Sequence, residues 1–202
     1  MLTKIKNNLA PIISTIFSPF IIFSFILIFV IFYYYSNLLS NLPSVLIGLF
    51  FGVIIPGITI VWLYKHKLIK DIHLNKQTDR QIPLLICIAS ALSGLIFLLF
   101  LGSPKYLLAV SMMFMFNCLL IFLITFFWKI SVHAATFSSA ITVILFVAGP
   151  FWWFLYLGFL IVGWARVYEN KHTWMQIIAG TVLAAIVTIL VFNAFGFSVF
   201  MR

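Results

Sequence analysis

The run from Val132 to Ala165, VHAATFSSAITVILFVAGPFWWFLYLGFLIVGWA, decides the fold. It is apolar almost from end to end, and one break, Gly149-Pro150, divides it. Proline lacks an N–H and clashes with the preceding helical turn, so a helix stops there. The run therefore reads as a hairpin of two helices, each of about 16 residues, or ~24 Å at 1.5 Å per residue. A bilayer core is ~30 Å thick. Helices this short predict that the polar groups flanking the hairpin sit in a recess below the headgroups.

The rest of the chain is built the same way. Of 202 residues, 65% are hydrophobic and 7% charged, with 24 Phe and 6 Trp. Soluble domains are nearer half apolar and about a quarter charged. So few polar groups could not cover this much apolar surface in water. Further spans read from roughly Pro11 to Tyr35, Val45 to Tyr64, Pro83 to Leu101, Tyr106 to Trp128 and Thr173 to Phe195, with SNLLSNLPS as the turn after the first. The expected fold is all-α: one membrane-embedded domain over 1–202, a polytopic transmembrane bundle of about 6–7 spans. MLTKIKNNLAP leads into an apolar run too long for a signal-peptide h-region.

The formal charge of +9 would suggest nucleic acid on a soluble protein. Here the cations occupy short loops between spans, which points to topology signals and to anionic lipid or phosphate instead. With alternating spans, all of the 12 Lys and Arg except Lys105 and Arg202 share one face. The positive-inside rule assigns that face to the cytoplasm. Cys87 and Cys118 lie inside apolar runs and read as small buried hydrophobes, with no disulfide or metal site implied.

Three loops on the crowded face carry groups suited to phosphate. The first holds His73, Lys76, Asp79, Arg80 and Pro83; the second, WKISVHAAT, holds Lys129, Ser131 and His133; the third holds Arg166 and His172. Ionisable groups beside hydrocarbon are costly, so their clustering is a functional signal. Ser131 is placed to cap the helix that starts near Val132, and helix N-termini attract anions. Each residue also has a plainer role. Lys65, Lys67, Lys70 and Lys171 fit as snorkelling anchors, and Lys129 fits anchor or ligand equally. Thr173 and Gln176 form a capping-box pattern that helix initiation alone explains.

The segment ARVYENKHTWMQIIAG, from Ala165 to Gly180, resembles the third signature of the type 2 phosphatidic-acid phosphatase (lipid phosphate phosphatase) superfamily. In that signature Ser-Arg is followed by five residues, His, three residues and Asp; here Arg166, His172 and Gln176 keep the spacing. Ile130-Ser131-Val132-His133 partly matches the second signature, Pro-Ser-Gly-His. The first survives as Lys76, Arg80 and Pro83. The pattern is similar to a bacterial subgroup with degenerate motifs, with a phosphatase-like core over about 72–197 and two N-terminal spans over about 11–64.

The resemblance implies metal-independent hydrolysis of a lipid phosphate monoester or diphosphate, with phosphatidic acid, phosphatidylglycerol phosphate or a polyprenyl phosphate as substrate classes. His172 would become phosphohistidine, and His133 would act as acid and then base. Gln176 would replace the carboxylate that orients the nucleophile, although Glu169 or Asp79 can be considered for that place. Arg166, Arg80, Lys76 and Ser131 would hold the phosphate. No cofactor is implied, and three acidic residues make a poor magnesium site among so many cations. The expected partners are the bilayer and a lipid phosphate, not nucleic acid, and the expected location is the bacterial cytoplasmic membrane. Two alternatives stand beside this. One is a non-catalytic relative that binds lipid headgroups or a partner. The other, a membrane prenyltransferase suggested by DRQIPL, is weakened because Asp71 and Asp79 are the only aspartates.

Overall fold

The computed structural model describes residues 2–35, 38–71, 74 and 76–199. Every regular element among them is helical. His73 and Arg202, named above, lie outside the described residues. In chain order the elements are α1 (Leu2–Ile16), α2 (Pro19–Tyr34), α3 (Leu38–Leu49), a π segment (Phe50–Ile54) and α4 (Ile55–Lys65). A 3-10 turn (Thr78–Arg80) then leads into α5 (Gln81–Phe100), followed by α6 (Lys105–Thr125) and α7 (Val132–Ala148). A 3-10 segment (Pro150–Gly158) continues into α8 (Phe159–Tyr168), and α9 (Trp174–Ala194) completes the bundle.

Five helical runs are long and apolar enough to cross a membrane, and the bent pair of Asn8–Ile16 with Pro19–Tyr34 makes up to six. In hydrocarbon every backbone polar group must find its partner within the protein, and a helix achieves this alone. Their outward faces carry large exposed apolar side chains from Ile12 to Leu190. That surface suits lipid, so the chain is a multi-pass helical membrane protein.

Several boundaries differ from the sequence reading. The first span is broken in two: Ser18 caps α2, its Oγ accepting from Ile21 N at 3.4 Å, and Pro19 takes the first turn. The two helices meet at 41°. SNLLSNLPS is mostly helix rather than turn, because α3 begins at Leu38 and contains Pro43. Pro43 lies inside α3, past the first turn, so its missing N–H leaves one gap in the hydrogen-bond ladder. Gly149, at φ +99°, ends α7 in a conformation other residues resist. The arm after it is not a short α-helix. Its first nine residues wind as 3-10, with a rise of ~2.0 Å each, so Pro150–Tyr168 covers ~33 Å rather than ~24 Å.

α7 is the central helix and packs against α2, α8 and α9. Membrane helices gain nothing from hiding apolar groups from lipid, so close van der Waals contact between small residues drives their association. The α7–α9 seam has this composition, with Ala135 packed beside Gly180 and Ala184, and Ser138 Oγ donates to Thr181 O at 2.7 Å. A Cβ on Gly180 would stand 2.6 Å from the Ser131 carbonyl oxygen, so glycine sets how closely the two helix starts approach.

Candidate active site

The turn between α8 and α9 places two groups at once. Asn170 adopts a left-handed conformation (φ 56°), and the Arg166 carbonyl accepts from Lys171 N at 3.0 Å and His172 N at 3.3 Å. Arg166 and His172 are therefore fixed relative to each other by backbone. Thr173 then caps α9 in a full capping box with Gln176.

Gln176 also orients the imidazole. Its Oε1 accepts from the Thr173 backbone N–H at 3.2 Å, which identifies that atom as oxygen, and it lies 2.9 Å from His172 Nδ1. Nδ1 therefore carries the hydrogen, and Nε2 presents its lone pair. That lone pair faces Arg80 Nη2 at 3.3 Å. Arg80 is held by two backbone carbonyls, its Nε donating to Leu74 O at 2.7 Å and its Nη1 to Ile130 O at 2.9 Å.

His172 is 6% exposed. Burial first, then the neighbouring charges of Arg80, Arg166 and Lys129, push its pKa down to about 3 against the opposing hydrogen bond to Gln176. It is thus a neutral imidazole at physiological pH. Arg166 pairs with Glu169 Oε2 at 3.4 Å, while its Nε is buried without a hydrogen-bond partner in the described structure. Glu169 is a hub: Lys171 Nζ donates to its Oε1 at 2.8 Å, and Ser14 Oγ donates to its Oε2. Burial alone would raise the Glu169 pKa, but the bonds from Lys171 and Ser14 and the nearby cations hold it below the usual carboxylate value. Lys129 Nζ donates to the Lys171 carbonyl at 2.6 Å. Burial and the charges of Arg80, Arg166 and Lys171 depress its pKa to about 8.

Arg80, His133, Arg166 and His172 line one cavity of about 410 Å³. Two expected phosphate ligands stand elsewhere. Lys76 is exposed and does not line the cavity. The Ser131 hydroxyl accepts from Ala134 N at 3.4 Å as the α7 cap and does not line it either. Glu169 and Asp79 do not take the orienting place beside His172: Gln176 fills it, Glu169 holds cations, and Asp79 Oδ2 accepts from Lys70 N at 3.1 Å. Ser14 and the Leu74 carbonyl are additions. No sequence spacing pointed to them, since each acts across a tertiary contact.

Arg80, Arg166 and Lys171 line the cavity against one carboxylate, Glu169, and Lys129 stands near them outside the lining, so this end is strongly electropositive. A fixed guanidinium, a neutral imidazole whose Nε2 lone pair meets that guanidinium, and a second imidazole can together bind a phosphoryl group and transfer it. No protein-family model, curated protein or solved structure matches this chain.

Proposed function

We propose that this protein is a membrane lipid-phosphate phosphatase that works through a phosphohistidine. The observation that carries the reading is the meeting of Arg80, Arg166 and His133, from three separate helical elements, with His172 of the α8–α9 turn around one cavity. His172 Nε2 attacks phosphorus while the bond from phosphorus to the lipid oxygen breaks. The phosphate monoanion brings a proton that passes to His133, His133 gives it to that oxygen, and the alcohol departs. His133 then takes a proton from water, whose oxygen attacks phosphohistidine, and the histidine leaves as orthophosphate forms. Arg80 and Arg166 hold the equatorial oxygens, as guanidinium forks fit phosphate well. Lys129 and Lys171 add charge at the rim.

The reading includes seven crossings, if α7 crosses as the short first arm of a hairpin, and a site at the cytoplasmic face by the excess of Lys and Arg there. The substrate is an amphiphile bearing a phosphate monoester or diphosphate. Release of inorganic phosphate from lipid phosphates by purified protein, without added divalent metal, is expected to fall at least about 1000-fold in His172→Ala. Full activity in that variant defeats the proposal. The neutral Gln176 beside the nucleophile favours one second reading, a non-catalytic headgroup binder. In that case phosphate lipid binds with no turnover, and binding survives His172→Ala but weakens in Arg166→Ala.

A further inference from the structure

Below the cations the cavity changes character. From His133 to Ala140 it follows α7 inward for ~10 Å, and along α6 it runs a similar depth from Ile121 to Phe114. Its walls there are mainly apolar, including Ile26, Leu84 and Met113, and the polar pair among them is bonded to itself, Asn117 Nδ2 donating to Ser139 Oγ at 3.2 Å. One leaflet of hydrocarbon is about 15 Å deep, half of a ~30 Å core. The chamber is therefore shallower than the chains of an ordinary leaflet. It also ends at a definite floor. The Phe23 and Phe114 rings pack with centroids 4.2 Å apart. A second void of about 10 Å³ lies against the same two rings, bordered by Gly48 and Gly94. Phe23, Gly52 and Phe114 line both spaces, so the ring pair is a partition between them. Gly52 is what admits the Phe23 ring: a Cβ there would meet it at 2.2 Å.

We infer that the chamber holds one hydrocarbon chain of the phosphate-bearing substrate, and that the Phe23–Phe114 pair is the floor that sets how long a chain fits. The inference rests on the phosphate reading of the mouth for the ligand's anionic end. The mainly apolar chamber beneath Arg80, Arg166 and Lys171 fixes the order of the ligand's parts, head at the mouth and tail at the rings. Phe23 and Phe114 are then specificity-determining residues, with no part in the chemical step.

The test uses full-length protein held in an amphipathic polymer and a series of n-alkylphosphonates, butyl to tetradecyl, each below its micellar concentration. Affinity is measured by calorimetry. Each methylene inside the chamber is expected to tighten binding about fourfold, the equivalent of ~0.8 kcal/mol. Beyond the floor the gain stops, giving a break in the plot. Phe114→Leu opens the partition and moves the break to longer chains. Ala140→Leu fills the chamber without removing packing and moves the break to shorter chains, and it decides the matter if Phe114→Leu does not fold. A plot without a break, a break unmoved by the folded variants, or no binding of any phosphonate overturns the inference. Phosphate release from the matching alkyl phosphates separates the two claims. Binding with a movable break but no release leaves the chamber and defeats the phosphatase; release without a break does the reverse.

Discussion

His172 and Lys129 titrate in opposite senses to the ordinary expectation, and both follow from crowding cations around a dry pocket. The folded protein keeps His172 neutral down to about pH 3, whereas an unfolded histidine accepts a proton below ~6.5. The unfolded state thus binds more protons in that interval, so this contribution is present above ~6.5 and is lost as pH falls toward 3. The unfolding midpoint in detergent is expected to drop between pH 7 and pH 5, and to drop less in His172→Gln. An equal drop in both would show that His172 carries no such linkage. Lys129 loses its charge as pH rises through about 8, which removes a cation from the rim. The value of kcat/KM should therefore decline above about pH 8 in the wild type, and Lys129→Arg should carry the limb to higher pH, since guanidinium stays charged. A limb that does not move assigns it to another group. Residue types and spacing exposed Arg166, His172, His133, Arg80 and Gln176 in the sequence. They could not reveal Lys76 facing solvent, Ser131 spent as a cap, or Ser14 bound to Glu169. Those outcomes depend on which surfaces meet across the fold.

At the scale of the helix, the site depends on how closely α7 and α9 start together. His133 opens α7 two residues after Ser131, and Gln176 lies in the first turn of α9, one turn before Gly180. Gly180→Ala puts a methyl group 2.6 Å from the Ser131 carbonyl, and backbone must move to relieve it. Misplacing reacting groups by ~1 Å costs about 100-fold in rate. Turnover in Gly180→Ala is expected to fall between about 10- and 100-fold, with a destabilisation of ~1–3 kcal/mol. Gly57→Ala serves as the control, because nothing lies within 4 Å of its Cβ position. Phosphate release and thermal unfolding measured side by side decide it, and a Gly180→Ala enzyme with wild-type turnover contradicts this role. Long apolar runs made the helices themselves readable, and Pro150 marked the division of the longest. The kink at Ser18, the π segment and the 3-10 winding after Pro150 were not readable. Each changes backbone hydrogen bonding without changing hydropathy. In the π segment, for instance, the Phe51 carbonyl accepts from Ser90 Oγ of a neighbouring helix at 2.6 Å.

For the molecule as a whole, the arrangement of spans and the position of the site are one question. Arg80, Lys129, Arg166 and Lys171 come from three loop regions that meet at one end of the bundle, and Lys105 stands across α5 and α6 from them. Each of α5 and α6 is a membrane-length run, so Lys105 belongs to the opposite end. Lys70 lies in the loop before Arg80, on the side of the site, and both Lys70 and Lys105 are exposed. Cys118 is buried, and Cys87 is the more accessible native thiol. In a Cys87→Ser background, therefore, Lys70→Cys should react with a membrane-impermeant maleimide only from the face that holds the candidate site, and Lys105→Cys only from the other. With the positive-inside rule the first face is cytoplasmic, so in intact cells Lys105→Cys labels and Lys70→Cys labels only after permeabilisation. The reverse pattern keeps the bundle and moves the candidate site to the outer surface, where the lipid phosphate proposed as substrate would come from a different leaflet. Labelling of both from one side breaks the pairing of α5 with α6 as successive crossings, and with it the placement of Arg80 beside His172.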